Sequence, residues 1–581
     1  MDHRSVEAAA LPSPARKKAA VSHPSRGGWN AAIFIIFVEV AERFTYYGLA
    51  GNLITYLMKE LGQPMAVAAQ NVNVWVGLSA IFPVAGAFIA DSYIGRFRTI
   101  LISSVIYLTG MIVMTFSVSV VPRPDRKAVF FTALYILALG EGGHKPCIQT
   151  FAADQFNEEL PEEKMAKSSF FNWWYMGIVA GATIAIFFVI YLQDNVGWTV
   201  GALVLTSAVA IAMLVFLVGY NRYRRQRPAG SPFVQVAHVI VAALKKRHLR
   251  EDGGGRYLCY DCGDDTDRGA CKDDFHPKTQ SLARTNRLKF LDKAMIIDSV
   301  DESSKAVNPW RLCSLNQVEE VKLVFRLIPI WLSCIMFTAV QAQAHTFFVK
   351  QGATMVRSIG GSSFQISPAS LQGFQGLTIL AATFSYDRVF VPLARNITGH
   401  PSGIPMLRRI GIGLFLSIIN MIAAACMEIM RLRIAANHGL QDSPKATVPM
   451  SIWWLMPQYM LCGISDVFTI IGLQELFYDH VPEEMRSMGA AAYVSVVGVG
   501  SFLSSGIIAV VQLVTARTDG GKWLVDNLNR ANLDGFYWVM AGLSAVNFCV
   551  FLLIAKGFEY KKIEEVEMDL GCEKGIAMRE V

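Results

Sequence analysis

Long apolar runs separated by short polar connections organise this chain. Hydrophobic stretches bounded by charges, prolines and glycines fall near residues 30–58, 73–94, 98–120, 128–150, 168–193 and 198–220, and again near 322–348, 370–392, 406–431, 450–478, 487–515 and 534–556. Each is long enough to cross a hydrocarbon layer of roughly 30 Å as a helix of about 20 residues. Inside that layer the backbone can satisfy its own polar groups only in helices or closed barrels. The pattern therefore predicts an all-α membrane protein with twelve transmembrane helices in two sets of six. The domains that follow are an N-terminal tail at 1–29, a six-helix bundle at 30–220, a polar linker at 221–321, a second six-helix bundle at 322–556 and a C-terminal tail at 557–581. Within the linker, the apolar patch Val234 to Leu244, followed by Lys245, Lys246 and Arg247, predicts one amphipathic helix.

Composition agrees with the pattern: 53% of the 581 residues are hydrophobic and 17% charged, outside the usual soluble range. Lysine and arginine exceed aspartate and glutamate by seven, an excess that in a membrane protein reports cytosolic anchoring and implies no nucleic-acid partner. The basic clusters at Arg96/Arg98, Arg222 to Arg227, Arg388/Arg395/Arg408/Arg409 and Lys561/Lys562 share one side of a twelve-span topology with the N-terminal cluster, which makes both tails and the linker cytosolic. Arg123, Arg126 and Lys127 oppose this and are outvoted. The polar stretch 1–28 does not read as a cleaved signal peptide. Ten cysteines are too few for a disulfide scaffold. Cys259, Cys262 and Cys271 with His276 would suit zinc, but a lone CxxC without a second spaced pair favours a flexible cytosolic loop, so no metal is expected.

Charges inside the apolar runs carry the chemistry. Glu39, Glu42 and Arg43 lie in the middle of the first run, where each charge costs about 2.5–3.5 kcal/mol. Positions i, i+3 and i+4 share a helical face, so these three form one site with Tyr46 a turn beyond. One arginine cannot neutralise two carboxylates. The carboxylate left over, desolvated and beside a like charge, has the property a proton-binding group requires; a permanent structural bridge would be poorly built this way. In the fourth run, Glu141, His144 and Lys145 follow glycines and precede Pro146, and Lys145 is available as a movable partner for the first-run acids. In the second half, Gln341 and His345 of the seventh run can donate to an anion, Asp466 of the tenth suits a cationic group, and Glu475 suits a gate or packing partner.

Two local similarities extend this reading. Gly86 to Arg96, of the form GxxxADxxxGR, resembles the loop signature of the major facilitator superfamily, and Asp387-Arg388 repeats it after the second run of the second half. The resemblance implies a major facilitator fold and gives Asp91, Arg96, Arg98, Asp387 and Arg388 the role of latching helix ends while the halves rock. ExxERFxYY at Glu39 to Tyr47, the segment from Lys145-Pro146 to Phe151-Ala-Ala-Asp-Gln-Phe156, and Asn308-Pro-Trp-Arg-Leu-Cys313 resemble the proton-dependent oligopeptide transporter family. The long linker, Phe347 to Met355 and Ile464-Ser-Asp466-Val-Phe-Thr look like its plant nitrate and peptide transporter branch. The resemblance implies a proton-coupled symporter working by alternating access on nitrate, small peptides or another plant metabolite. It assigns proton coupling to Glu39, Glu42, Arg43 and Lys145, and cavity lining to Tyr46 and Tyr47.

Three positions depart from the family pattern. Asp466 stands where many relatives carry glutamate, Val179 replaces the fifth-span asparagine, and Gln341 occupies the position of a seventh-span histidine used for nitrate, with His345 one turn along. The expected partners are the bilayer and a small solute; the oligomeric state is open. No cofactor is expected beyond the proton as coupling ion. A sensor with vestigial transport and a proton-uncoupled facilitator are the alternatives. An enzyme is disfavoured, because no set of nucleophile, base and orienting group is found, nor any P-loop. The plasma membrane is the default location and the vacuolar membrane the alternative.

Overall fold

The structure, a computed structural model, describes residues 26–157, 161–225, 232–248, 285, 288–298, 301, 308–358, 365–398, 404–444, 446–480, 486–517 and 521–558. The cysteine-bearing stretch Cys259 to Cys271 with His276, and both chain tails, lie outside the described residues. Twelve long helical spans run through the described part. The first is Trp29–Ala50, extended past a break at Gly51 by Leu53–Lys59. The second, third and fourth are Met65–Ile89, Arg96–Ser119 and Arg123–Ala153. The fifth is Pro161–Ile184, continuing through Ala185–Val189 into Ile190–Asn195, and the sixth is Trp198–Val218. In the second half the spans are Leu315–Gln341, Gln372–Ser385, Met406–Asn437, Met456–His480, Arg486–Thr515 and Leu533–Lys556.

Ten spans are long and apolar enough by composition to cross a membrane; the first and fourth, which carry Glu39, Glu42 and Arg43 and Glu141 and Lys145, are the two others. In the first half, the first span packs against the fifth and sixth, and the fourth against the second and third. In the second half, the ninth packs against the tenth and twelfth, and the seventh against the eleventh. The halves meet along the second and eleventh spans and along the fifth and eighth. The described spans thus form two six-helix bundles, the arrangement that the major facilitator resemblance implies.

Close crossings place the charged spans. A Cβ on Gly86 would stand 2.0 Å from the Gly142 carbonyl oxygen, so the second and fourth spans touch backbone to backbone. A Cβ on Gly181 would stand 2.6 Å from the Val40 carbonyl oxygen, which seats the fifth span against the charged part of the first. The repeat expected from Asp91 and Asp387 is visible in the backbone: both sit in π-helical turns, Ala90–Ile94 and Tyr386–Phe390, at matching ends of the second and eighth spans. The seventh span starts on a capping box formed by Ser314 and Gln317. It then breaks into a tight turn at Ala342–His345 before resuming as Phe347–Ala353.

At the end of the bundle away from the chain termini, hydrogen bonds hold the halves together. Ser367 donates to Asp194 at 2.5 Å, Gln372 to the Gly51 carbonyl at 2.9 Å, Asn73 to Ser504 at 3.0 Å, and the Met65 N–H to Asp526 at 2.7 Å. A short parallel strand pair, Met355–Val356 with Val448–Ser451, adds to this end and was not expected from the sequence.

At the opposite end, the described parts of the linker pack against the second half. Its amphipathic helix Pro232–Lys245 and the turn Lys289–Met295 contribute Val239, Ala242, Leu291 and Ala294 to one apolar cluster with Val318 and Val321 of the seventh span. Buried Lys322 pairs with Asp292 and, at 2.7 Å, with Glu319. Lys246 pairs with Asp301 at 2.6 Å, and Arg311 with Asp298 and Asp301 at 2.7 and 3.1 Å. Phe233 reaches across to Phe88 of the second span, ring centroids 6.0 Å apart.

Candidate functional site

Helical spacing brings Glu39, Glu42 and Arg43 together on the first span. Arg43 Nε lies 2.9 Å from Glu39 Oε1 and 2.7 Å from Glu42 Oε2, and both carboxylates are buried. One guanidinium therefore serves two acids. Lys145, expected opposite these acids, is paired in this structure with Glu141 of its own helix, Nζ to Oε2 2.6 Å. The pairing is i to i+4 and needs no other span. The spacing from Glu141 to Lys145 is legible in the sequence. Three buried acids thus share two cations. Glu39 Oε2, Glu42 Oε1 and Glu141 Oε1 have no hydrogen-bond partner among the described residues, nor does His144 Nδ1. A cavity of about 20 Å³ flanked by Glu42, Ser104 and His144 has room for one water between these groups.

The Lys145 ammonium also lies 4.0 Å above the Tyr46 ring. Tyr46 stacks on Trp75 of the second span, centroids 5.5 Å apart, and meets Tyr47 edge-on at 5.3 Å. A packed path Glu141–Lys145–Tyr46–Tyr47 therefore leads from the charges to a central cavity of about 440 Å³, which Tyr47 lines. Tyr46, predicted as lining, stands one ring back from it.

From the first half, Ile178, Val179, Thr183 and Ile186 of the fifth span line the cavity; from the second half, Gln341, His345, Gln372, Gln375, Asp466 and Gln474 do. The break in the seventh span brings Gln341 and His345 to this wall. Gln341 donates to Asp466 Oδ1 at 2.8 Å and Gln375 donates to Oδ2 at 3.0 Å. Among the described residues no cation pairs with Asp466. Gln375 was not singled out in the sequence, because nothing in one amide of an apolar eighth span tells which wall it faces.

The latch candidates separate. Arg96 bridges Asp91 at 3.3 Å and Asp154 at 2.6 Å, tying the second, third and fourth spans. Arg98 and Arg388 are exposed, and the Asp387 side chain lies outside the described residues. Glu475 pairs with Arg409 of the ninth span at 3.0 Å, and that guanidinium stands 4.3 Å above the Tyr386 ring.

Two six-helix bundles around a mainly apolar cavity with a few polar groups, with buried charges in the first and fourth spans, define a multi-pass membrane carrier. The chain belongs to the POT family, whose sequence profile (PTR2) matches residues 97–524. Protein NRT1/PTR FAMILY 5.4 of Arabidopsis thaliana is 54% identical over 554 residues, covering 95% of this chain and 99% of the relative. Protein NRT1/PTR FAMILY 5.10 of the same plant is 44% identical over 564 residues, covering 94% and 96%. Among solved structures, the POT family transporter PepTSo superposes with a TM-score of 0.67 at 21% identity, covering 91% of this chain and 98% of that one. A POT family transporter in complex with 5-aminolevulinic acid superposes with a TM-score of 0.62 at 16% identity, covering 92% of this chain and 98% of that one. The chain is accordingly a membrane transporter of a transporter family, not an enzyme.

Proposed function

We propose that the protein is a proton-driven symporter that moves a small organic or nitrogenous solute by alternating access. The observation that carries the reading is the charge count beside the cavity: Glu39, Glu42 and Glu141 against Arg43 and Lys145. The cost of the uncompensated buried charge falls away when one carboxylate takes a proton. Lys145 is then free to exchange Glu141 for a first-span acid, and its contact with Tyr46 transmits the change toward Tyr47 and the cavity wall. Cation excess at the termini end supports a cytosolic assignment for it. With the opposite end closed, this conformation faces the cytosol. A proton entering down a membrane potential releases about 2.3 kcal/mol per 100 mV, sufficient to drive uptake uphill. The plasma membrane is the proposed location.

The test is solute accumulation in proteoliposomes under an imposed proton gradient, with and without a protonophore. Accumulation that the protonophore abolishes supports symport. Uptake that equilibrates identically in both conditions identifies a facilitator and rules symport out.

A further inference from the structure

Where the chain enters the first span and leaves the sixth, it forms a recess of about 360 Å³ lined by Arg26, Tyr220, Asn221, Tyr223, Arg224 and Arg225. This recess shares no residue with the central cavity. The approach to the first span is threaded into it. Gly27 donates its N–H to the Arg222 carbonyl at 2.9 Å, and Gly28 donates to the Gln155 carbonyl at 2.7 Å. Gly27 has φ +97°, and a Cβ there would stand 2.6 Å from that Gln155 oxygen and 2.7 Å from Arg224 Nε. Only glycine lets the segment pass and sets Arg26 beside the arginines that follow the sixth span.

The guanidinium groups differ in what holds them. Arg224 is committed to Glu163 by two hydrogen bonds of 3.0 and 3.2 Å. Arg225 rests on rings instead, 4.2 Å from the Phe97 centroid and 3.9 Å from that of Tyr220, and donates to the Tyr220 carbonyl at 3.1 Å. A guanidinium held flat against rings keeps N–H groups on its edge for a two-oxygen acceptor. Arg26 is exposed, and no acid lines the recess among the described residues. The flanking chain supplies none either: no aspartate or glutamate occurs from Ala8 to Val38 or from Asn195 to Arg250. Like charges are thus gathered at one fixed place, at a cost that a bound anion would remove.

The sixth span supplies an apolar approach to the same place. Leu214, Val218 and Asn221 follow one another at helical spacing, and Leu214 and Val218 are 62% and 72% exposed. An exposed apolar strip ending in tyrosine and arginine belongs at the boundary between hydrocarbon and head groups. We propose that the recess binds the phosphate of an anionic membrane lipid. The phosphate oxygens accept from Arg225 and Arg26, and the acyl chains follow Val218 and Leu214 along the sixth span. Arginine clusters beside a membrane helix attract the anionic lipids of a cytoplasmic leaflet, the side to which the carrier reading assigns this end. A phosphate monoester, with up to two charges and three terminal oxygens, matches two uncompensated guanidinium groups. A choline phosphodiester carries one charge and brings its own cation.

The test titrates the full chain in detergent with dioctanoyl phosphatidic acid, dioctanoyl phosphatidylcholine and inorganic phosphate, reading binding by thermophoresis. Phosphatidic acid is expected to bind saturably and more tightly than the other two. Arg225→Gln is expected to weaken that binding about tenfold, and Arg225→Lys, which keeps the charge but not the planar fork, by less. Lys245→Gln, which removes an exposed charge from the linker helix, should leave it unchanged. Thermal midpoints matched to the wild type show that the variants are folded. Where Arg225→Gln does not fold, Arg26→Gln, at an exposed position, carries the same expectation. Equal affinity for phosphatidic acid and phosphatidylcholine overturns the proposal, as does binding unchanged in the folded arginine variant. An equal loss in Lys245→Gln also overturns it, since attraction is then diffuse and no built site exists. Inorganic phosphate binding as tightly as phosphatidic acid overturns the lipid as the source and leaves a soluble phosphate in its place. None of these outcomes depends on whether protons drive the carrier.

Discussion

At the scale of single residues, Glu42 is the sharpest point of attack. It shares Arg43 with Glu39 and keeps a buried oxygen without a hydrogen-bond partner. If this cluster takes the driving proton, Glu42→Gln fixes the protonated charge state, and accumulation against a gradient should vanish while counterflow exchange persists. A merely structural ion pair predicts loss of both together through misfolding. Proton-driven accumulation at the wild-type level in this variant would end the assignment. A second residue-scale prediction concerns Asp301 in the linker. Burial works against its charge, but Lys246, the Asp298 N–H and Arg311 outweigh that and hold its carboxyl below the ordinary aspartate value. A depressed folded value means that the ionised form stabilises the docked linker at every pH above the unfolded aspartate value of ~3.9. The contribution is lost as pH falls from there through the folded value. Amide protection of residues 289–298, corrected for intrinsic exchange rate, should thus drop below about pH 4, and Asp301→Asn should show the lowered protection already at neutral pH. Equal protection in the variant and wild type at neutral pH would show that the seam does not depend on this charge.

Among the elements, the crossing of the second and fourth spans is the least forgiving. Gly86 opens the loop signature read from the sequence, yet what the structure asks of it is contact with Gly142. Gly86→Ala forces apart two helices that meet backbone to backbone, and overpacking of that kind costs about 1–3 kcal/mol or more. A clear fall in thermal midpoint and in monodisperse yield is expected. Gly542 on the twelfth span is the control, since a Cβ there meets nothing within 4 Å. Gly542→Ala should leave the midpoint unchanged or raise it slightly, helix propensity favouring alanine by about 0.8–1 kcal/mol. Equal midpoints for the two variants would show that the second span can shift away from the fourth. The paired π-turns that hold Asp91 and Asp387 belong to this scale too. They mark the same position in both halves, and such turns commonly accompany functional sites.

Across the whole molecule, sidedness decides how the conformation is read. The bonds from Ser367 to Asp194 and from Gln372 to Gly51 close one end, and the described parts of the linker pack at the other. Asn396, exposed in the helix Val391–Thr398 at the termini end, begins an Asn-Ile-Thr sequon. If that end is cytosolic, Asn396 stays unglycosylated in a eukaryotic membrane. A glycosidase-sensitive mass shift lost in Asn396→Gln would invert the orientation, and with it the side toward which this conformation faces.

The apolar runs, with a period and length that only helices in lipid satisfy, were enough to read an all-α membrane protein, and the buried charges of the first run marked its chemistry. Both signals are local: hydropathy is a property of consecutive residues, and Glu39, Glu42 and Arg43 are neighbours on one turn. What faces what is not local. That Lys145 stands over the Tyr46 ring, that Gln375 from the eighth span joins Gln341 on Asp466, and that Glu475 is taken by Arg409 all depend on how separate helices rotate and cross. Helix rotation is set by close-packed contacts such as Gly86 on Gly142, whose energies depend on distances between residues far apart in the chain. The sequence therefore determined the helices and the charge within one of them, and the tertiary structure decided the partners, because pairing across helices is a matter of packing and not of periodicity.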